Sequence, residues 1–321
     1  MGRRNHRRRT YRAICRCADP RTPAGRSAVT HLPPTERESL RSTGLDSLST
    51  AEVVSLIASD QREAADAVLA ETAAIARTID EIARRLRGGG MLHYLGAGSS
   101  GRIATLDASE MPPTFGTPPE LVQAHVAGGA AALVRSMEGA EDDAEAGAAV
   151  VRDFVRPQDA VVGLSASGSA AFVVTALAQA TALGAFTVAL TSVPGSALVR
   201  AASQAIVLET GAEVLTGSTR LKAGTAQKIA LNAISTGVMV RLGKVYDNLM
   251  VDVVASNRKL RARALRLVER LARVDERQAR QLLAAAEGRV KVAVVMEWRH
   301  VDPAEARALL ERHDGALRPL L

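Results

Sequence analysis

Two short glycine–serine loops carry the residue types best able to hold a small anion: Gly96-Ala97-Gly98-Ser99-Ser100-Gly101 and Ser165-Ala166-Ser167-Gly168-Ser169. Each follows a short apolar run and opens a helical pattern. Glycine lets the backbone approach a ligand closely, and a helix N-terminus presents unpaired N–H groups to negative charge. Serine is also a common helix N-cap, so one such loop alone is explained by capping; two at matching strand ends point to a compact phosphate. A carboxylate, Glu110, follows the first loop, where Pro112 is expected to stop the helix. Further on, Glu138, Glu141, Asp142 and Glu145 fall at i, i+3, i+4 and i+7 of a predicted helix over 130–155. Carboxylates near a phosphate anchor permit general acid–base chemistry. A solvated acidic stripe is the plain alternative, and spacing does not choose among the four.

The first loop spells the G-x-G-x-x-G pattern of a dinucleotide site. That chemistry needs an Asp or Glu at the end of the next strand, to bind ribose hydroxyls. The next apolar run is Leu121-Val122-Gln123-Ala124-His125-Val126-Ala127, followed by Gly128-Gly129, with no carboxylate there. Glu120 stands at the opposite, amino-terminal end. A phosphate without a dinucleotide fits better.

These residues must be positioned by alternating strands and helices. Apolar runs predict strands at 91–96, 121–127, 160–165, 186–192 and 205–208. Helical stretches lie between them, at about 101–110, 130–155, 170–183 and 196–202. This rhythm indicates an α/β fold: a five-stranded parallel sheet flanked by helices, with ligands bound beyond the carboxyl ends of the strands. Before it, Ser49 and Thr50 read as a helix start, and helical periodicity runs from about 62 to 87 until Gly88-Gly89-Gly90. After it, Thr216 or Ser218 is expected to cap a long helix within 210–243, and 262–321 reads as short helices broken at Gly288, Asp302-Pro303 and Gly315.

Composition excludes several classes. The hydrophobic fraction of 47% is ample for a core, although aromatics are only 2%, so alanine, valine and leucine must fill it. No run of eighteen apolar residues predicts a membrane span. The net charge of +7 suggests nucleic acid, but nine arginines against one acid, Asp19, lie in the first 33 residues, leaving the rest at −1. The basic character belongs to a tail, residues 1–34, expected to be disordered, and no nucleic-acid partner is predicted. Its lack of an apolar core argues against a secretory signal; an Arg-rich transit peptide or an early translation start are the remaining readings. Cys15 and Cys17 lie in that tail without partner ligands at zinc spacing, and the body has no cysteine, which fits a reducing cytoplasm.

The stretch "YLGAGSSGRIATLDASEMPPTFG" resembles the signature of the N-acetylmuramic acid 6-phosphate etherases, which carry the sugar isomerase (SIS) fold. Residues 216–257, "TGSTRLKAGTAQKIALNAISTGVMVRLGKVYDNLMVDVVASN", are similar to a second family motif, and "LDSLSTAEV" and "SMEGAEDD" also fit. The likeness runs from about residue 35 to the end. It implies N-terminal helices over 35–90, a flavodoxin-like SIS domain over 82–245 and a C-terminal helical region over 246–321. It also implies a cytoplasmic, homodimeric enzyme of cell-wall recycling, acting on a sugar phosphate without metal or cofactor. The family's reaction removes D-lactate from C3 of the sugar by elimination, then hydrates the product. On this resemblance Glu110 is the family's proton donor and Glu141 its second catalytic glutamate. The chemistry needs one group to take the C2 proton and another to protonate the lactyl oxygen. The sequence leaves open which glutamate takes the C2 proton, with Glu141 the expected base. Ser99, Ser100, Ser165, Ser167 and Gly168 hold the 6-phosphate. Glu213, Ser218, Thr219 and Lys222 are further candidates for sugar contacts, with capping and packing as alternative roles. The chain departs from the family at Ser169-Ala170-Ala171, where Arg-Thr-Pro is usual, and at Val193-Pro194-Gly195-Ser196, where Asn-Pro-Gly-Ser is usual. The first change removes a basic residue and a hydroxyl beside the phosphate loop.

Three other readings share the fold. A sensor of the glucokinase regulatory type would bind phosphosugars without catalysis, but such regulators usually carry two SIS domains. An aldose–ketose isomerase would need a base near C2 and release no lactate. A sugar-responsive DNA-binding regulator would need a helix-turn-helix, and the alanine-rich helices of 49–87 show no recognition helix.

Overall fold

The computed structural model describes residues 32–253 and 258–320. The reading of the arginine-rich tail and its two cysteines falls on residues 1–31, outside those described.

Three helices lead in: α1 (Thr50–Asp60), α2 (Arg62–Ala70) and α3 (Thr72–Arg87). A capping box starts α1. The Glu52 carboxylate accepts from the Ser49 N–H at 2.9 Å, and the Ser49 hydroxyl accepts from the Glu52 N–H at 3.4 Å, satisfying two donors that the helix leaves free. The single helical pattern read over 62–87 is two helices meeting at Glu71.

Strands and helices then alternate: β1 (Leu92–Gly96), α4 (Gly98–Phe115), β2 (Val122–Val126), α5 (Ala131–Val134), α6 (Ala144–Phe154), β3 (Ala160–Leu164) and α7 (Ala171–Leu183). The series continues with β4 (Phe186–Thr191), α8 (Ala197–Ala201), β5 (Gln204–Val207) and α9 (Lys222–Arg241). All five strands are parallel, in the order β2-β1-β3-β4-β5. Every strand boundary lies within one residue of the predicted run. β1 and β3 are buried throughout, as parallel strands covered on both faces must be. On one face α3, α4 and α9 pack over Leu92, Val162 and Leu190; on the other α6, α7 and α8 cover Leu95, Val161 and Ala189.

Beyond α9 a small hairpin, β6 (Val245–Tyr246) and β7 (Leu249–Met250), precedes four helices. These are α10 (Arg258–Ala272), α11 (Glu276–Ala285), α12 (Val290–Arg299) and α13 (Pro303–Arg312). They share their own core around Val268, Ala293, Val294 and Ala306. The predicted breaks are present, with Asp302 as N-cap and Pro303 as first residue of α13.

Three local expectations are corrected. First, α4 does not stop at Glu110; it runs through Pro112 and Pro113 to Phe115 and ends at Gly116 in the left-handed region (φ 63°). Two prolines cost two backbone donors. Burial of Met111 and Phe115 in the core holds the last turn in place. Second, no helix spans 130–155. Gly139 (φ 73°) turns the chain into a single 3₁₀ turn, Ala140–Asp142, before α6 begins at Ala144 with Asp143 as its N-cap. Glu138, Glu141, Asp142 and Glu145 therefore share no helical face. Third, neither Thr216 nor Ser218 caps α9; a buried carboxylate, Glu213, does so.

Candidate active site

The strand order reverses between β1 and β3, so the loops after them flank the switch point where open α/β sheets bind ligands. The first loop is a close backbone crossing. A Cβ on Gly96 would lie 2.6 Å from the Gly101 nitrogen, so no other residue type fits there. α4 starts at Ala97 without a side-chain cap, leaving its first-turn N–H groups beside Ser99 and Ser100 for an anion. Ser99 is partly exposed; Ser100 is buried and donates to Gln227 Oε1 of α9 at 2.9 Å. Arg102 points away, its guanidinium bonding the carbonyls of Ala132, Leu133 and Arg135.

The second loop is a chain of hydroxyls. Ser165 Oγ accepts from the Gly168 N–H at 3.1 Å and lies 3.4 Å from Ser167 Oγ, which is 2.8 Å from Ser169 Oγ. Ser169 thus restores one hydroxyl at the position where this chain departs from the family. Gly168 (φ 68°) is pressed against the next loop: a Cβ there would lie 2.2 Å from Ser196 Oγ. α7 also begins without a side-chain cap, at Ala170. Capping does not account for these serines, since neither helix they precede is capped by a side chain. Two uncapped helix N-termini and five serines meet where strand order reverses, a geometry suited to a phosphate.

Glu110 and Glu141 are both exposed, and among the described residues neither has a hydrogen-bond or ion-pair partner. Glu110 is twelve residues into α4, about 18 Å along the axis from Gly98 at 1.5 Å per residue. Glu141 sits in the 3₁₀ turn that packs against α7. Sequence reasoning missed the clamp beneath Glu110. Asp107, buried one turn earlier, accepts from Tyr94 Oη at 3.1 Å, Asn232 Nδ2 at 2.7 Å and Ser235 Oγ at 3.1 Å. It ties α4 to β1 and α9, and burial together with this carboxylate raises the Tyr94 pKa well above its usual value. No periodic pattern could reveal a network joining residues this far apart in sequence.

The 213–222 segment leads into α9. Glu213 accepts from the Lys222 N–H at 3.1 Å and the Ala223 N–H at 3.0 Å. Burial raises its carboxyl pKa, although those N–H groups and the Lys222 ammonium oppose the shift. Lys222 is buried and gives its ammonium to Asp60 at 3.2 Å and Glu63 at 2.6 Å, while Arg41 bridges the same two carboxylates. The contacts of Glu213 and Lys222 here are those of capping and packing. Ser218 and Thr219 are half-buried in the loop before α9, where their N–H groups bond the carbonyls of Leu215 and Gly217. Among the described residues no three His, Cys, Asp or Glu side chains converge as metal ligands.

The family of the glucokinase regulatory protein N-terminal SIS domain matches residues 74–181. A protein of Symbiobacterium thermophilum named N-acetylmuramic acid 6-phosphate etherase is 53% identical over 261 residues, 81% of this chain and 87% of its own. One of the same name from Gloeobacter violaceus is 50% identical over 284 residues, 88% of this chain and 93% of its own. The chain belongs to the N-acetylmuramic acid 6-phosphate etherase family. Its parallel sheet and SIS-type domain fit that membership, and the etherase likeness reaches well beyond the SIS segment into the C-terminal helices. Among solved structures, a phosphoheptose isomerase from Francisella tularensis is 21% identical with a TM-score of 0.49, covering 60% of this chain and 99% of its own.

Proposed function

We propose that this protein cleaves the D-lactyl ether of N-acetylmuramic acid 6-phosphate, giving N-acetylglucosamine 6-phosphate and D-lactate. The observation that carries this reading is the pair of serine loops with uncapped helix ends at the switch point, in a chain about half identical to etherases over most of its length. The 6-phosphate sits on Ser99, Ser100, Ser165, Ser167 and the backbone at Gly168, with Ser169 as a further hydroxyl. Ser218 and Thr219 approach the sugar, and Glu213 and Lys222 shape the loop that carries them.

In the open-chain sugar the C1 aldehyde acidifies C2–H. Glu141 takes that proton, the C3–O bond breaks as the C2–C3 double bond forms, and Glu110 protonates the departing lactate oxygen. Glu110, now a carboxylate, takes a proton from water as the oxygen adds to C3, and C2 is reprotonated. Each positioned acid or base contributes about 100- to 10,000-fold. Exposure leaves both carboxylates free for this work.

The site is completed by a second copy of the chain. A span of about 18 Å from the loop to Glu110 exceeds the reach of a six-carbon sugar phosphate anchored at that loop. A twofold dimer that brings α4 of one protomer to the rim of the other closes the gap. The cysteine-free body suits the cytoplasm. Among the described residues no helix is long and apolar enough to cross a membrane.

The test is incubation with N-acetylmuramic acid 6-phosphate in deuterated water, following D-lactate and deuterium at C2. Lactate release with C2 deuterium, both lost in Glu110→Ala or reduced to exchange alone, is expected. Saturable sugar-phosphate binding with neither signal would sink the enzyme reading in favour of a sensor.

A further inference from the structure

A large concave surface lies away from the serine rim, among the C-terminal helices. A cavity of about 1310 Å³ opens between α10, α11, α12, α13 and the end of α4 at Gly116. Seven cationic side chains line it against three carboxylates, Asp252, Glu287 and Glu311; of the seven, Arg280 pairs with Glu276 on its own helix. The region has the charge to match: residues 258–321 carry fifteen Lys and Arg against nine Asp and Glu.

The imbalance is greatest at the floor. Lys291 is only 7% exposed, and its ammonium donates to the Gly315 carbonyl at 2.7 Å. That ammonium and the one on Lys244 share a single carboxylate, Asp252, at 2.7 and 3.0 Å. Two cations share one anion, and Lys291, the buried one, is the less hydrated of the two, so a second anion at this point would be favoured. Burial holds Lys291 below its usual pKa; Asp252 opposes that shift and Lys244 adds to it. The N-terminus of α12 meets the same space. Val290, Lys291 and Val292 line the wall, and Arg289 at the N-cap makes no side-chain cap bond, so first-turn N–H groups face the cavity uncapped. On the opposite side Arg307 Nη2 lies 3.0 Å from Glu287 Oε1 yet has no acceptor in hydrogen-bond geometry. Arg258 and Arg289 stand exposed at the margin.

We propose that this cavity binds an organic phosphate carrying two or more negative charges, at a site separate from the serine rim. The phosphate groups pair with Lys244, Lys291 and the α12 N-terminus, and the margin arginines hold the outer charge. Concavity favours a small molecule over a flat lipid or protein surface. The volume exceeds the roughly 300–1,000 Å³ of ordinary small-ligand pockets, leaving room for an organic body beyond the phosphate.

Calorimetric titration of the full chain with pyrophosphate tests this. A binding component is expected that persists in Ser165→Ala, weakens as salt rises, and weakens at least tenfold in Arg258→Glu/Arg289→Glu. Both arginines are exposed, so the unliganded Tm of the double variant should match that of the parent; Lys291→Met is the second probe of the same component. Parallel titrations with ATP and glucose 6-phosphate in the Ser165→Ala background distinguish a nucleotide from a sugar body. No heat at millimolar pyrophosphate, binding indifferent to the charge reversals, or binding abolished by Ser165→Ala would each overturn the proposal.

Discussion

If Glu110 serves the serine rim of the partner protomer, two inactive variants must complement each other. One variant is Glu110→Ala, which removes the proton donor. The other is Ser165→Ala/Ser167→Ala, which removes two hydroxyls at the phosphate. Hydrogen bonds to a charged group contribute about 1.5–3 kcal/mol each, so losing two costs about 3–6 kcal/mol, at least a hundredfold in turnover. The two chains are tagged differently, co-expressed, and the heterodimer isolated through both tags. With the carboxylate supplied in trans, one of its two sites pairs an intact Glu110 with intact serines, and the other carries both defects. Lactate release should then return to about half the parent rate in a twofold dimer. The proposed trans arrangement rests on the separation of about 18 Å along α4. If Glu110 acted on serines of its own chain, both sites of the heterodimer would be damaged. Activity no higher than that of either variant alone would refute the reasoning.

Three further outcomes follow from the same structure. His125, half-buried in β2, has its Nε2 3.1 Å from Nδ1 of the fully buried His93, and burial first, then His93, lowers its pKa from 6.5 to about 4. A neutral histidine with a depressed folded pKa leaves the unfolded chain binding more protons, so stability is whole above pH 6.5 and falls as pH drops toward 4. That loss is about 3 kcal/mol; urea titrations across this range should show it, and His125→Gln should flatten the slope. Lys222→Met removes the buried ammonium from Asp60 and Glu63 but leaves Arg41 bridging both, so the cost is about 1.5–3 kcal/mol, below that of a buried charge left unpaired. Urea unfolding should show that loss, and adding Asp60→Asn should recover part of it. Gly168→Ala forces a Cβ into Ser196 at a left-handed backbone position and should cost about 1–3 kcal/mol. Its effect on substrate KM should exceed that of Gly195→Ala, where an added Cβ meets nothing within 4 Å.

The sheet was legible in the amino-acid order because strands buried on both faces must be apolar almost without interruption, and turns rich in glycine mark their ends. The two glycine–serine loops were legible for a related reason: Gly96, Gly101 and Gly168 stand where backbone contact or a left-handed residue tolerates nothing larger. The capping box at Ser49 and Glu52 is local chemistry, readable within four residues. What failed were inferences that treat a segment as if it stood alone. Pro112 and Pro113 should end a free helix, but core burial of Met111 and Phe115 outweighs the two lost hydrogen bonds. Charges at helical spacing over 138–145 suggested one face, but Gly139 in a left-handed conformation breaks the helix before it forms. The cap of α9 comes from Glu213, the anchor of Lys222 from Asp60 and Glu63, and the support of Glu110 from Asp107 with Tyr94, Asn232 and Ser235. The amino-acid order by itself determined which residues could build strands, glycine–serine loops and helix starts. Only tertiary structure decided which polar groups meet, because a buried carboxylate or ammonium must find its partners wherever the fold brings them, however distant in the chain.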